Sequence, residues 1–286
     1  MARIGIVLSG GIAKGAYQVG VLKAISEHFA QDEIVCISAA SIGVFNAYAF
    51  ASGKLDKLEE TWLSINDNSK QNRYVTSVLK HSYVDNIINQ ICTPEDKLNS
   101  KLFMSLFNFS KLRMEYVDLT QHPYDKIPHY LRAGVALPPF CMPYTIDKTM
   151  YFDGALCDNI PIFPLVDCDL DYIFCIHFDS YNYVFESTKF DNKTVKINFP
   201  DKSLIRHSVV FNNELIRKMI DDGYEKGSII LEHLLKHGSD DIEYIYKRIG
   251  KMQAAFGDDY SLRITVDVVM NNLNKVMKKL IARYKQ

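Results

Sequence analysis

Apolar positions along the chain fall into short runs broken by glycine-rich or polar stretches, and the runs alternate in period. Arg3 to Leu8 is a β-rich apolar run closed by Ser9-Gly10-Gly11, which predicts a buried strand. From Gly15 the period lengthens. Val19, Leu22 and Ile25 share one face with Lys23 and Glu27 opposite, so a helix follows. Ile34 to Ile37 predicts a second strand, and a helical apolar run extends to Ala51. Strand, helix, strand, helix is the order of a parallel sheet with helices packed against it.

Leu55, Leu58 and Trp62 predict a short helix, residues 67–73 a polar loop, and Val75 to Ile91 a further helix. Leu102 to Phe109 is unusually aromatic. Its favoured reading is a core helix or a cap over the sheet, and the alternative is an acyl-chain tunnel or a contact with a lipid interface. Leu112 to Leu119, Thr149 to Phe152, Asp171 to Phe178 and Val195 to Phe199 predict strands, and Asp125 to Arg132 a short helix. Phe211 to His237 and Ile242 to Ile249 read as helices. The last segment carries an apolar stripe from Val269 to Tyr284 edged by Lys275, Lys278, Lys279, Arg283 and Lys285. Docking on the domain is the favoured reading for it, ahead of lying on an acidic membrane. No repeat or linker divides the chain, so a single domain over 1–286 is expected, with the motifs within 1–180 and a mostly helical part over 200–286.

With 48% hydrophobic and 23% charged residues over 286 positions, the composition is that of a globular protein. A formal net charge of -1 gives no basic field, so nucleic acid is not an expected partner. The six cysteines show no C-x-x-C pair and no His at ligand spacing, so free thiols are expected, with neither zinc nor any other metal or cofactor. The N-terminal apolar run is too short for a signal-peptide core, and Ile37 to Ala51 is too short to span a bilayer. The expected setting is therefore the cytoplasm, and peripheral membrane association stays open as an alternative to a freely soluble protein.

Two stretches carry candidate chemistry. Ala39-Ala40-Ser41-Ile42-Gly43 joins a strand to a helix through small residues, the layout of a nucleophile elbow, in which a strained turn lifts a serine hydroxyl out of the sheet. The plain alternative is a small-Ser-x-Gly loop. Ser9-Gly10-Gly11-Ile12-Ala13-Lys14-Gly15 also joins a strand to a helix N-terminus, where free amides suit an anion. A nucleotide P-loop would need Lys-Ser/Thr after Gly15, and a dinucleotide fingerprint would need Gly at position 12. That leaves an oxyanion hole, with Lys14 supporting the charge or a substrate phosphate, or a turn whose glycines only permit the bend. Both stretches sit at the carboxyl ends of consecutive strands, where chemistry gathers in such sheets. Asp153, straight after an apolar strand and before Gly154, is placed either to point into that cleft or to cap its own turn. His177, inside an apolar strand, reads as a core residue.

Taken together, Ser9 to Tyr17, Ala39 to Gly43, Arg132 to Pro143, Tyr151 to Ala155 and Asp158 to Pro161 resemble the patatin-like phospholipase family in order and spacing, over roughly the first 180 residues. The resemblance implies a three-layer α/β/α fold with a mostly parallel sheet and a Ser–Asp dyad without the usual His. Ser41 matches the nucleophile, Asp153 the dyad acid, Gly10, Gly11 and Ile12 the oxyanion loop, and Lys14 its basic position. Ala39 departs from the first elbow glycine, and Ser9, Ile12 and Ala155 depart elsewhere. The implied substrate is a phospholipid, lysophospholipid or other acyl-ester lipid. The alternatives are a catalytically weak or inactive member that binds lipid or a partner, and a Ser–His–Asp hydrolase using His177 or His207.

Overall fold

A computed structural model describes residues 1–64, 81–138, 140–178, 182–185, 188–199, 212–254 and 261–264. The predicted polar loop over 67–73, the start of the helix predicted from Val75, His207 and the basic stripe at 269–285 lie outside these residues. The first half follows the predicted order: β1 (Ile4–Leu8), α1 (Gly15–His28), β2 (Ile34–Ala39), α2 (Gly43–Ala51), α3 (Leu55–Ser64) and α4 (His81–Ile91). Then come β3 (Lys101–Asn108), β4 (Arg113–Asp118), α5 (Ile127–Gly134), β5 (Tyr144–Ile146), β6 (Thr149–Asp153) and β7 (Tyr172–His177). The remainder is β8 (Asn182–Phe185), α6 (Thr188–Asp191), β9 (Thr194–Asn198), α7 (Asn213–Leu234), α8 (Ile242–Ala254) and β10 (Ser261–Ile264).

The main sheet has eight strands and is mixed, mostly parallel in its centre. β2, β1, β7 and β9 run side by side in parallel, and β3 is parallel to β2. Its central parallel strands β1, β2, β7 and β9 are buried on both faces. Ile4, Ile6 and Leu8 of β1 point into the helix layer with Ile37, Phe174 and Ile176. Val7 packs on the opposite side with Cys36, Ile173 and Cys175, under Ile160, Ile162 and Leu165. Among the described residues that second face is covered largely by the 3-10 turn Phe163–Asp167 and its flanks. The α/β layers thus match expectation, and the helix side is held by α1 crossing α7. There Gly20 meets the backbone of Ile220, and a Cβ at that point would lie 2.0 Å from the Ile220 carbonyl oxygen. Gly20, together with Gly223 over Tyr17, permits that approach.

Two expectations are corrected. Leu102 to Phe109 is neither helix nor cap but the interior strand β3. Leu102, Met104, Leu106 and Phe107 are all fully buried, so it does not lie on a lipid interface. The sulfurs of Cys36 and Cys168 lie against each other across a separation of 132 residues, where unconnected thiols were expected; Cys92, Cys141, Cys157 and Cys175 are free.

Pairing around β3 brings two distant strand ends together. β4 covers one edge of β3 from Phe103 to Asn108. β2, on residues 101–104, and β6, on residues 106–108, must therefore share the other edge end to end. β2 runs parallel to β3 and finishes with Ala39 opposite Met104, while β6 runs antiparallel and finishes with Asp153 opposite Leu106. The ends of β2 and β6 thus face each other along one edge, two residues apart on β3.

Candidate active site

Ser41 occupies the gap between those two strand ends. Its φ is 54°, the left-handed region that costs an L-residue strain unless its surroundings enforce it. The surroundings do so. The amides of Gly43 and Val44 bond back to Ala40 and Ser41, and Gly43 lies against the Leu8 and Ser9 carbonyls, where a Cβ would come within 2.9 Å. Ala39 is accommodated as the fully buried last residue of β2, so the elbow forms without glycine at that position.

Asp153 is fully buried. Its Oδ1 accepts from the Ala155 amide at 2.9 Å and caps the turn Gly154–Leu156. The turn-cap reading of this residue is thus realised by Oδ1. Oδ2 makes no hydrogen bond of ordinary length and angle, yet the Ser41 hydroxyl is near enough to favour the charged form. Serine and acid are therefore in apposition without a fully formed bond, a common state for catalytic contacts outside the Michaelis complex. Burial pushes the Asp153 carboxyl up to about 7, against the smaller opposing pull of Ser41 and the Ala155 amide. Among the described residues, no histidine bears on that carboxyl. His177 is buried at the end of β7, where burial and then Lys196 and Lys226 push it down to about 3, so it stays neutral.

Gly10 touches both Ser41 and Asn159. A Cβ there would sit 2.7 Å from the Ser41 Cβ and 2.6 Å from the Asn159 Oδ1. The Gly10 amide donates to that Oδ1 at 2.9 Å, and the Asn159 side-chain amide returns a longer bond to the Gly10 carbonyl. Of the three loop amides, Gly10 is thus engaged, while those of Gly11 and Ile12 meet no acceptor among the described residues. Ile12 has φ 53°, a strained setting for a β-branched residue, which aims the loop differently from a regular turn. Lys14, the N-cap of α1, is buried rather than directed to solvent. A Gly10→Ala variant is expected to keep its melting temperature within a few degrees and to lose at least about 100-fold in kcat/KM, because its methyl displaces Ser41 or Asn159. Thermal melts and ester kinetics on one preparation check this.

Several residues that hold the site had no sequence signal. Gln18 donates to the Ser9 carbonyl at 2.7 Å; Asn46 donates to Gln18 and to the Gly15 carbonyl, and accepts from the Trp62 indole at 2.9 Å. This buried network ties the glycine loop to the helix after Ser41. On the acid side Tyr116 donates to Asp158 at 2.5 Å; burial nonetheless raises Asp158 to about 6. Asn159 was visible only as part of a matching block, because its partner lies on β1's exit loop.

The family profile described as patatin-like phospholipase matches residues 6–166. The chain is 27% identical over 184 residues to Lysophospholipase nte1 of Aspergillus terreus, covering 60% of this chain and 12% of that protein. It is 23% identical over 177 residues to an Uncharacterized NTE family protein of Mycobacterium bovis, covering 59% of this chain and 47% of that one. The chain thus spans half or less of the length of these relatives. Among solved structures, VipD from Legionella pneumophila superposes with a TM-score of 0.44 at 10% identity, over 99% of this chain and 86% of that one. With more than half its length inside the matched profile, the chain belongs to the patatin-like phospholipase family.

Proposed function

We propose that the protein is a serine acyl hydrolase that cleaves the carboxylic ester of a phospholipid, lysophospholipid or related acyl lipid through Ser41 and Asp153. One observation carries the reading: Ser41, on a strained turn, faces a buried carboxylate whose second oxygen has no other partner, beside two uncommitted amides. Asp153 accepts the Ser41 proton, and Ser41 Oγ attacks the ester carbonyl. The Gly11 and Ile12 amides, held by the Gly10–Asn159 pair, donate to the oxyanion. The alcohol leaves with the proton. Water then attacks the acyl-serine, Asp153 again taking a proton, and the fatty acid is released. Family membership supports a lipid acyl ester as substrate.

Purified protein incubated with 1-acyl lysophospholipid is expected to release one fatty acid per lipid consumed. Fatty acid release at the blank rate, with the protein folded, would set the reading aside in favour of a binding role.

A further inference from the structure

Asn159, which clasps Gly10, directly follows a buried acid. Asp158 Oδ1 accepts from the Ile160 amide at 3.2 Å, closing an Asx turn whose middle residue is Asn159. Oδ2 accepts from the Tyr116 hydroxyl at 2.5 Å. The Asp158 amide donates to the Gly154 carbonyl at 2.9 Å, and its carbonyl accepts from the Ser105 hydroxyl at 3.4 Å. Each polar group of Asp158 therefore has a partner, the condition on which a carboxylate is tolerated in the interior. Burial raises that carboxyl to about 6 against the pull of Tyr116 and the Ile160 amide. Burial and then the Asp158 charge raise the Tyr116 phenol, so the phenol stays protonated and is the donor of the pair.

Tyr116 reaches this acid by way of β3. On β4 it lies directly opposite Ser105 of β3, so both side chains leave the same face of the sheet, and both end on Asp158. Ser105 stands between Met104, opposite the end of β2, and Leu106, opposite the end of β6. It is the residue of β3 left between the two strand ends. Gly154 crosses it so closely that a Cβ would lie 2.3 Å from the Ser105 carbonyl carbon. The segment leaving Asp153 is thus tied across β3 to β4 at Asp158, and to the loop after β1 one residue later at Asn159. Among the described residues the Asn159 side chain bonds only to Gly10, so the turn at Asp158 sets its aim.

We propose that Tyr116 is a positioning residue for the oxyanion loop: its hydroxyl, through Asp158, holds Asn159 against Gly10 and so keeps the Gly11 and Ile12 amides aimed at the ester bound at Ser41. The effect on turnover rests on the esterase reading, whereas the hold on Gly10 does not, and two measurements separate them. Hydrogen exchange is followed at the Gly10 amide in wild type and Tyr116→Phe, where turnover plays no part. Values of kcat and KM on p-nitrophenyl butyrate are compared for wild type, Tyr116→Phe, Asn159→Ala and the double variant. Tyr116→Phe is expected to exchange the Gly10 amide at least about tenfold faster with the α7 amides unchanged. It should lower kcat at least about tenfold with KM within about twofold, and the double variant should be no slower than Asn159→Ala alone. Asp158→Asn, with one side-chain oxygen where two donors meet two, is expected to loosen the same amide and serves if Tyr116→Phe does not fold. Unchanged Gly10 exchange would overturn the inference. So would exchange raised throughout α7, kcat unchanged in a protein with esterase activity, single effects that multiply in the double variant, or failure of both Tyr116→Phe and Asp158→Asn to fold. Faster exchange confined to Gly10, in a protein that hydrolyses neither this ester nor 1-acyl lysophospholipid, would uphold the hold on the loop and overturn the esterase reading alone.

Discussion

Ser41→Ala and Asp153→Asn each lower kcat on an acyl ester by at least about 10⁴-fold while the fold survives. Removing a nucleophile or the base that serves it destroys the same step, so the double variant is expected to be little worse than either single one. The two sites differ in stability. Ser41→Ala removes only a hydroxyl from a residue that keeps its strained φ of 54°, and its melting temperature should move by a degree or two. Asp153 is a fully buried carboxylate with one oxygen lacking a regular hydrogen bond, so its neutral amide replacement relieves a desolvation cost. Loss of activity with retained or increased stability is the signature of a residue kept for chemistry. Steady-state kinetics and thermal melts on the four proteins check both halves.

The second large effect is the pH dependence that Asp153 imposes. Its carboxyl titrates at about 7 when folded, against an ordinary value of 3.8, so the folded protein holds this proton more tightly than the unfolded chain. The stability it contributes is complete below about pH 4 and is lost as pH rises towards 7, on the order of 4 kcal/mol in all. Asp158, raised to about 6, acts in the same direction over a narrower window, so only the difference between wild type and Asp153→Asn isolates Asp153. That difference should be near zero at about pH 4 and should favour the variant by a few kcal/mol at about pH 8. Activity runs the other way. Asp153 accepts a proton only when ionised, so kcat/KM should climb through about pH 7, where stability from this residue has been lost. Denaturation midpoints and rates across this pH range read both trends.

What the sequence disclosed was local. The elbow and the glycine loop are legible because turn, strand end and helix start are contiguous, and Ser41 and Gly43 lie within three residues of each other. Asp153 was legible as a turn residue and, through resemblance, as an acid. Its meeting with Ser41 depends on β2 and β6 sharing one edge of β3, which no local pattern encodes. β3 itself hides its strand character because Leu102, Met104 and Leu106 are buried on one side and Phe107 on the other, so the two-residue period is masked by apolar residues on both faces. The Cys36–Cys168 pair and the Gly10–Asn159 clasp join distant segments, and spacing says nothing of either.

The dyad itself is tested most directly by a fluorophosphonate probe, which reacts only with an activated hydroxyl. Intact mass and peptide mapping should find one phosphonyl group per chain, on Ser41, absent from Ser41→Ala and formed at least about 100-fold more slowly in Asp153→Asn. A folded protein that takes no label, takes it elsewhere, or labels Ser41 at the same rate without the Asp153 carboxylate would contradict the account.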